Sequence, residues 1–166
     1  MKATIAMSLT DEHRNIDTEI LDFIEQVERG VLDPTPLLEA FTSLRRHIYM
    51  EEEFLFPPVR DAGLVMPILV MLREHATLWQ LMESLTDLTS DQSTDPDGEE
   101  LLAGCRTLLV ELEQHNAKEE PIIYPRADLD LTESALAELA TFIDLGSAPT
   151  GWTCQGLSEA PDGYRH

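Results

Sequence analysis

Four of the five histidines, His13, His47, His75 and His115, fall on separate segments of the chain, and only His166 sits at the end. Two of the four are followed four residues later by a glutamate, in 47-HIYME-51 and 115-HNAKE-119. On a helix that spacing puts both side chains on one face, about one turn apart. An imidazole nitrogen and a carboxylate oxygen so placed chelate a first-row transition ion well. The candidate metal ligands are therefore His13, His47, Glu51, His75, His115 and Glu119. Glu119 is preferred to Glu120, which would replace it if Pro121 distorts the helix end.

Positioning them requires helices whose apolar faces carry the same residues. Ser8 or Thr10 is expected to cap a first helix that Gly30 ends, and Asp33-Pro34 to start a second that Pro57-Pro58 stops. A third helix is predicted from about Val65 to Thr89. The loop-like stretch SDQSTDPDG follows, and then a fourth helix from about Asp97 or Glu99 to the neighbourhood of Pro121 and Pro125. Apolar residues recur at three and four: Leu9, Ile16, Ile20 and Val27; Leu37, Phe41 and Leu44; Ile68, Leu72, Leu78 and Met82; Leu101, Leu108 and Leu112. Each histidine lies on its helix's stripe, His47, His75 and His115 three residues after a leucine. The expected fold is all-α, an up-down-up-down four-helix bundle. A short extra C-terminal helix runs from Thr132 to Leu145, so 1–145 forms one domain and 146–166 an irregular tail. The tail carries Trp152 and Cys154, to which the sequence assigns no role.

The bundle also predicts one depth for the ligands. His13 is near the start of helix one and His75 in the first half of helix three, whereas the two His–Glu pairs lie near the ends of helices two and four. With alternating helix directions, and about 1.5 Å of rise per residue, the four levels fall within roughly two turns. A single histidine on such a stripe is more often a satisfied core residue. If roughly two or three positions in seven face the core, four histidines doing so by accident is about a one-in-thirty to one-in-a-hundred event. Burying four imidazoles and two carboxylates among apolar groups is costly unless something pairs them, and a cation does.

The bulk composition narrows the rest. With 32 acidic and 11 basic side chains and a net charge of −21, nucleic acid and anionic membranes are poor partners. No segment has the length of a signal peptide or a membrane span. Two cysteines form no disulfide framework, and a cytoplasmic location with reduced thiols is expected. Glu-x-x-His ligand pairs, His-Glu-x-x-His, a phosphate-binding glycine loop, Cys-x-x-Cys and Gly-x-Ser-x-Gly are all missing.

The order His13, 47-HIYME-51, His75, 115-HNAKE-119 resembles the hemerythrin-like, HHE cation-binding family, over about residues 8 to 126. The resemblance implies a non-haem centre of two iron ions, bridged by the two carboxylates and an oxo or hydroxo group. On that count about one position per metal is left for a small diatomic or peroxide ligand. Oxygen-carrying members have a further histidine four residues after that of the third helix; here that place is Trp79 (75-HATLW-79). Four histidines and two glutamates resemble instead the proteins that repair iron centres after nitrosative or oxidative damage. Their usual N-terminal cysteine-bearing segment has no counterpart ahead of helix one, which leaves the repair role open.

The expected function is redox, nitrosative or oxidative stress response or iron handling, through NO, peroxide or O2. The alternatives are a reversible O2-binding or sensing module, and a structural or storage protein for zinc or manganese; whether turnover is catalytic stays open. Glu74 resembles a further carboxylate near the metal in the repair group, against its reading as a solvated helix residue. Glu12, Glu52 and Glu53 read as solvent-facing, Cys105 as an apolar filler, and Tyr49 and Tyr124 as packing residues before redox neighbours.

Overall fold

The computed structural model describes residues 3–158. Pro161, Gly163 and His166, assigned above to the tail, lie outside the described residues. Helix α1, Ile5–Glu28, begins earlier than expected. Thr4 is extended, and its hydroxyl accepts the Met7 N–H at 3.1 Å. Ser8 is already a turn inside, donating its N–H to the Thr4 carbonyl. Gly30, at φ 88°, follows the helix end as a residue without a Cβ readily does. The Asp33 carboxylate accepts the Thr35 N–H at the start of α2, Thr35–Met50.

Pro57-Pro58 does not stop the chain. After Met50 it widens into a π-helical turn, Glu51–Leu55, and continues as α3, Phe56–Asp61. The two prolines occupy the first turn of α3, where a missing N–H costs little. The wider turn advances each residue by a smaller angle, and Glu51 and Glu52 are both buried in consequence. Helix α4, Val65–Ser90, and α5, Glu99–Ile122, complete the bundle. Asp95 caps α5, its two oxygens accepting the N–H groups of Glu100 and Leu101 at 3.1 and 3.0 Å. Pro121 sits inside the last turn of α5. A 3-10 turn, Tyr124–Arg126, leads to α6, Ala127–Asp130, and then to α7, Glu133–Leu145, which Thr132 caps. A last turn, α8, spans Gln155–Ser158.

The fold is thus all-α. α1 packs on α2 and α5, and α4 packs on the same two helices, so the four form a closed square. No helix among the described residues is long and apolar enough to cross a membrane. Helix α7 lies against the outside of this square. The Arg46 guanidinium caps its C-terminus, donating to the carbonyls of Phe142, Ile143 and Gly146 at 2.6, 2.7 and 2.8 Å.

The core is split in two. Ile16, Ile20, Leu44, Ile48, Leu78 and Leu112 belong to one apolar cluster, and Leu9, Met50, Leu55, Leu72 and Ile123 to the other. Along α1 and α4 the break between clusters falls at a histidine, with Leu9 before His13 and Ile16 after it, and Leu72 before His75 and Leu78 after it; on α2 it falls between Ile48 and Met50, just past His47. The bundle therefore contains one polar layer between two greasy ones.

Candidate metal centre

That layer holds all six residues singled out from the sequence. His13, His47, Glu51, His75, His115 and Glu119 are each 5% exposed or less. Their inward atoms form two groups of four: His13, His47, Glu51 and Glu119, and then Glu51, His75, His115 and Glu119. Within each group the candidate ligand atoms lie within 4.8 Å of one another, and both carboxylates belong to both groups. Glu119 stands in both groups, whereas Glu120 is a third exposed and stands in neither, lying 3.5 Å from His13 Nδ1.

The four imidazoles present Nε2 to the interior. His13 Nε2 is 3.2 Å from Glu119 Oε1, and His47 Nε2 is 3.3 Å from Glu51 Oε1. His115 Nε2 is 3.1 Å from Glu119 Oε2, and His75 Nε2 is 3.5 Å from Glu51 Oε1. Each Nδ1 faces outward onto another carboxylate. His47 meets Glu12 at 2.6 Å, His75 meets Glu52 at 2.7 Å, His115 meets Glu74 at 3.0 Å, and His13 meets Glu120 at 3.5 Å. A carboxylate accepts, so in His47, His75 and His115 Nδ1 carries the hydrogen and Nε2 keeps its lone pair for the interior, whereas His13 Nδ1 makes no hydrogen bond and only approaches Glu120. Metal-binding histidines are oriented in this way.

Two expectations fail here. Glu12 is only 21% exposed and Glu52 is buried, so neither faces solvent, whereas Glu53 does. Glu74 is no free helix residue either; it accepts from His115 and pairs with Lys118. A signal for these residues was present in the chain. Both halves read Glu-His … His-x-x-x-Glu-Glu, as Glu12-His13 … His47-x-x-x-Glu51-Glu52 and Glu74-His75 … His115-x-x-x-Glu119-Glu120.

Tyr124 is a further resident of the layer. Its hydroxyl is 2.9 Å from Glu119 Oε1, 3.0 Å from Glu51 Oε2, 2.7 Å from His13 Nε2 and 3.1 Å from His47 Nε2. Packing alone, as expected from the sequence, does not describe it.

The electrostatics of these side chains, taken by themselves, are those of a site with too many lone pairs. Burial pushes the Glu51 carboxyl well up, and the Glu119 charge beside it adds to this. Burial would raise Glu119 too, but the charges and hydrogen bonds of His115 and His13 hold it down. Burial lowers His47 despite its bond to Glu12. It would lower His115 as well, but Glu119 and Glu74 outweigh it and bring His115 to about 9. Tyr124 is pushed well up by burial and by the two carboxylates. Outside the layer, Glu12 lies low because the hydrogen bond from His47 and the charge of Arg46 overcome its burial, and Glu74 lies low through its bond to His115.

Glu51 Oε1, His75 Nε2 and Glu119 Oε2 are buried without a hydrogen-bond partner. His13 Nε2 and His47 Nε2 lie 2.9 Å apart, a separation at which two lone pairs need a proton or a cation between them. Such orphaned acceptors are rare in folded proteins and each costs about 1–3 kcal/mol. Nitrogen and oxygen donors in this number suit a first-row transition ion, so the residues fit a metal. Burial pushes both the Cys105 and the Cys154 thiol up to about 12, which favours the protonated form.

An all-helical bundle with imidazoles and shared carboxylates converging on its axis defines a metal-binding four-helix bundle. The family model of the hemerythrin HHE cation binding domain matches residues 4–127, and the chain belongs to that family. The iron-sulfur cluster repair protein YtfE of Yersinia pseudotuberculosis serotype IB (strain PB1/+) is 32% identical over 133 residues, 70% of this chain and 60% of that protein. The YtfE protein of Yersinia pestis (strain Pestoides F) is 31% identical over the same shares. The chain thus spans 60% of the length of these curated relatives. No solved structure matches it.

Proposed function

We propose that this chain is a non-haem di-iron protein of the nitrosative or oxidative stress response, acting on NO, peroxide or O2. His13 and His47 would hold one iron and His75 and His115 the other, with Glu51 and Glu119 available to both. The observation that carries this reading is the pair of four-residue donor groups sharing both carboxylates. Iron is the metal favoured by the family and by the repair of iron–sulfur clusters named for its relatives.

Two irons would supply electrons, cycling between ferrous and ferric, and a place for a small molecule to bind. The protein's own part is to hold the imidazoles in one tautomer and to keep water away. Glu12, Glu52 and Glu74 do the first for His47, His75 and His115. The apolar layers on either side do the second, with Phe56 stacked on His75 at 5.4 Å and 18°. Two buried free thiols suit the reducing interior of a cell.

Reversible oxygen carriage is disfavoured by Trp79. It stands one turn beyond His75, is 4% exposed, and packs on Trp152 rather than offering a ring nitrogen donor to the layer. The deciding experiment is anaerobic purification without added metal, followed by metal analysis and a visible spectrum before and after NO, peroxide and air. Two irons per chain, and spectral change with NO or peroxide, are expected. Zinc or manganese in place of iron, or a reduced iron protein indifferent to both reagents, overturns the reading. A spectrum that forms in air and vanishes under argon favours oxygen binding instead.

A further inference from the structure

The two halves of the site differ by one oxygen atom. Phe56 lies five residues after Glu51 and Tyr124 five residues after Glu119, and each is followed by proline. Phe56 covers His75 in one half. Tyr124 covers His13 in the other, with ring centroids 5.3 Å apart and planes at 31°. The aromatic ring is thus common to both, and only Tyr124 adds a polar atom.

That atom has four neighbours: His13 Nε2, His47 Nε2, Glu51 Oε2 and Glu119 Oε1, all between 2.7 and 3.1 Å. They come from the four residues of the first donor group and from no others. A phenol has one hydrogen to give, and here four acceptors surround it in a residue that is 0% exposed. Separations near 3 Å are also those between adjacent ligands of one small cation.

We propose that the Tyr124 oxygen is a fifth protein ligand of the cation held by His13, His47, Glu51 and Glu119, so that this cation is closed and the one held by His75 and His115 meets the small molecule. The inference rests on the two-iron reading above. As the metal–oxygen bond forms, the phenol O–H breaks and its proton leaves to solvent. On the two-iron reading the first group would offer its cation five protein donors, two imidazoles, two carboxylates and the phenolate, and the second would offer four, which would leave more room there for a small molecule. Two of the buried acceptors without a hydrogen-bond partner, His75 Nε2 and Glu119 Oε2, lie on the second side, and a third, Glu51 Oε1, stands between His47 Nε2 and His75 Nε2 at 3.3 and 3.5 Å.

Phenolate bound to ferric iron absorbs broadly in the visible by charge transfer, and excitation in that band enhances the ring vibrations of tyrosinate in the Raman spectrum. The oxidised protein, with iron measured on the same sample, is expected to hold two irons and show both signatures. Tyr124→Phe is expected to lose them while keeping its iron, and Tyr49→Phe to retain them. Two irons without tyrosinate vibrations in the unmodified protein overturns this inference alone, whatever the variants do. Fewer than two irons overturns the two-iron reading and this inference with it.

Discussion

Glu52→Gln tests whether the carboxylates behind the histidines act as drawn. Both oxygens of Glu52 accept: Oε2 from His75 Nδ1 at 2.7 Å and Oε1 from the Gln155 backbone N–H at 2.8 Å. The amide of glutamine has the same shape but only one acceptor. Whichever way it is turned, its NH2 faces another donor in a buried place. Leaving one such donor unpaired costs about 1–3 kcal/mol. At this chain length about 2 kcal/mol lowers Tm by about 4–8 °C, and that loss is expected in metal-free protein. If the amide oxygen keeps Gln155, His75 loses its anchor and its preferred tautomer. Removing such a support lowers metal affinity about 10–100-fold, or about 1.4–2.7 kcal/mol. The weakening should fall on one of two binding steps, because His75 belongs to one donor group only. Anaerobic titration with Fe(II) against a competing chelator resolves the two steps. Glu53→Gln, one residue on and exposed, is the control and should change neither step. Unaltered affinity in Glu52→Gln, or an equal loss in Glu53→Gln, would refute the reasoning.

His13→Ala and His115→Ala are each expected to reduce metal content from two ions per chain towards one, because the two residues belong to different groups; metal analysis of the purified variants measures this. His115 lies at about 9 against an ordinary 6.5. Its contribution to the stability of metal-free protein is therefore full below about pH 6.5 and lost as pH rises through about 9, which melts over that range will show. A metal must displace the same proton, so from this group alone apparent metal affinity should fall about tenfold per pH unit below about 9. Gly156→Ala puts a Cβ 2.6 Å from the Leu72 carbonyl oxygen, part of a rigid helix. A destabilisation of about 1–3 kcal/mol is expected, with a change in tryptophan fluorescence as Trp152 moves off Trp79 and Tyr49. Arg46→Ala removes the caps on Phe142, Ile143 and Gly146, and should lower stability by about 2–4 kcal/mol in denaturant melts.

The inward residues were legible in the sequence because a chelate within one helix leaves a local mark, four residues long, and because one histidine per apolar stripe is improbable by accident. The outward carboxylates left a mark too, but a faint one. In a chain with 32 acidic side chains, Glu12 beside His13 or Glu52 beside Glu51 looks like more surface charge, and only the repetition of both pairs in the second half separates them from it. Pro57-Pro58 misled for a different reason. Proline ends a helix through the carbonyls it leaves unpaired one turn back, and the π turn at Glu51–Leu55 had already broken that pattern. The place of Tyr124 in the layer is set by the turn after Pro121, which helical periodicity does not describe, and only its match with Phe56, each five residues after a glutamate and followed by proline, marks it in the sequence.

The carboxylates behind the histidines run around the bundle in a circuit. Glu12 of α1 supports His47 of α2, Glu52 after α2 supports His75 of α4, Glu74 of α4 supports His115 of α5, and Glu120 of α5 closes the circuit more loosely, 3.5 Å from His13 of α1 without a hydrogen bond. No helix can slip by one residue against its neighbours without spoiling two rings at once, its own and the one it braces. The bundle's register is thereby locked like the tumblers of a lock, and a single-residue insertion inside any of these helices would be felt on both sides of it.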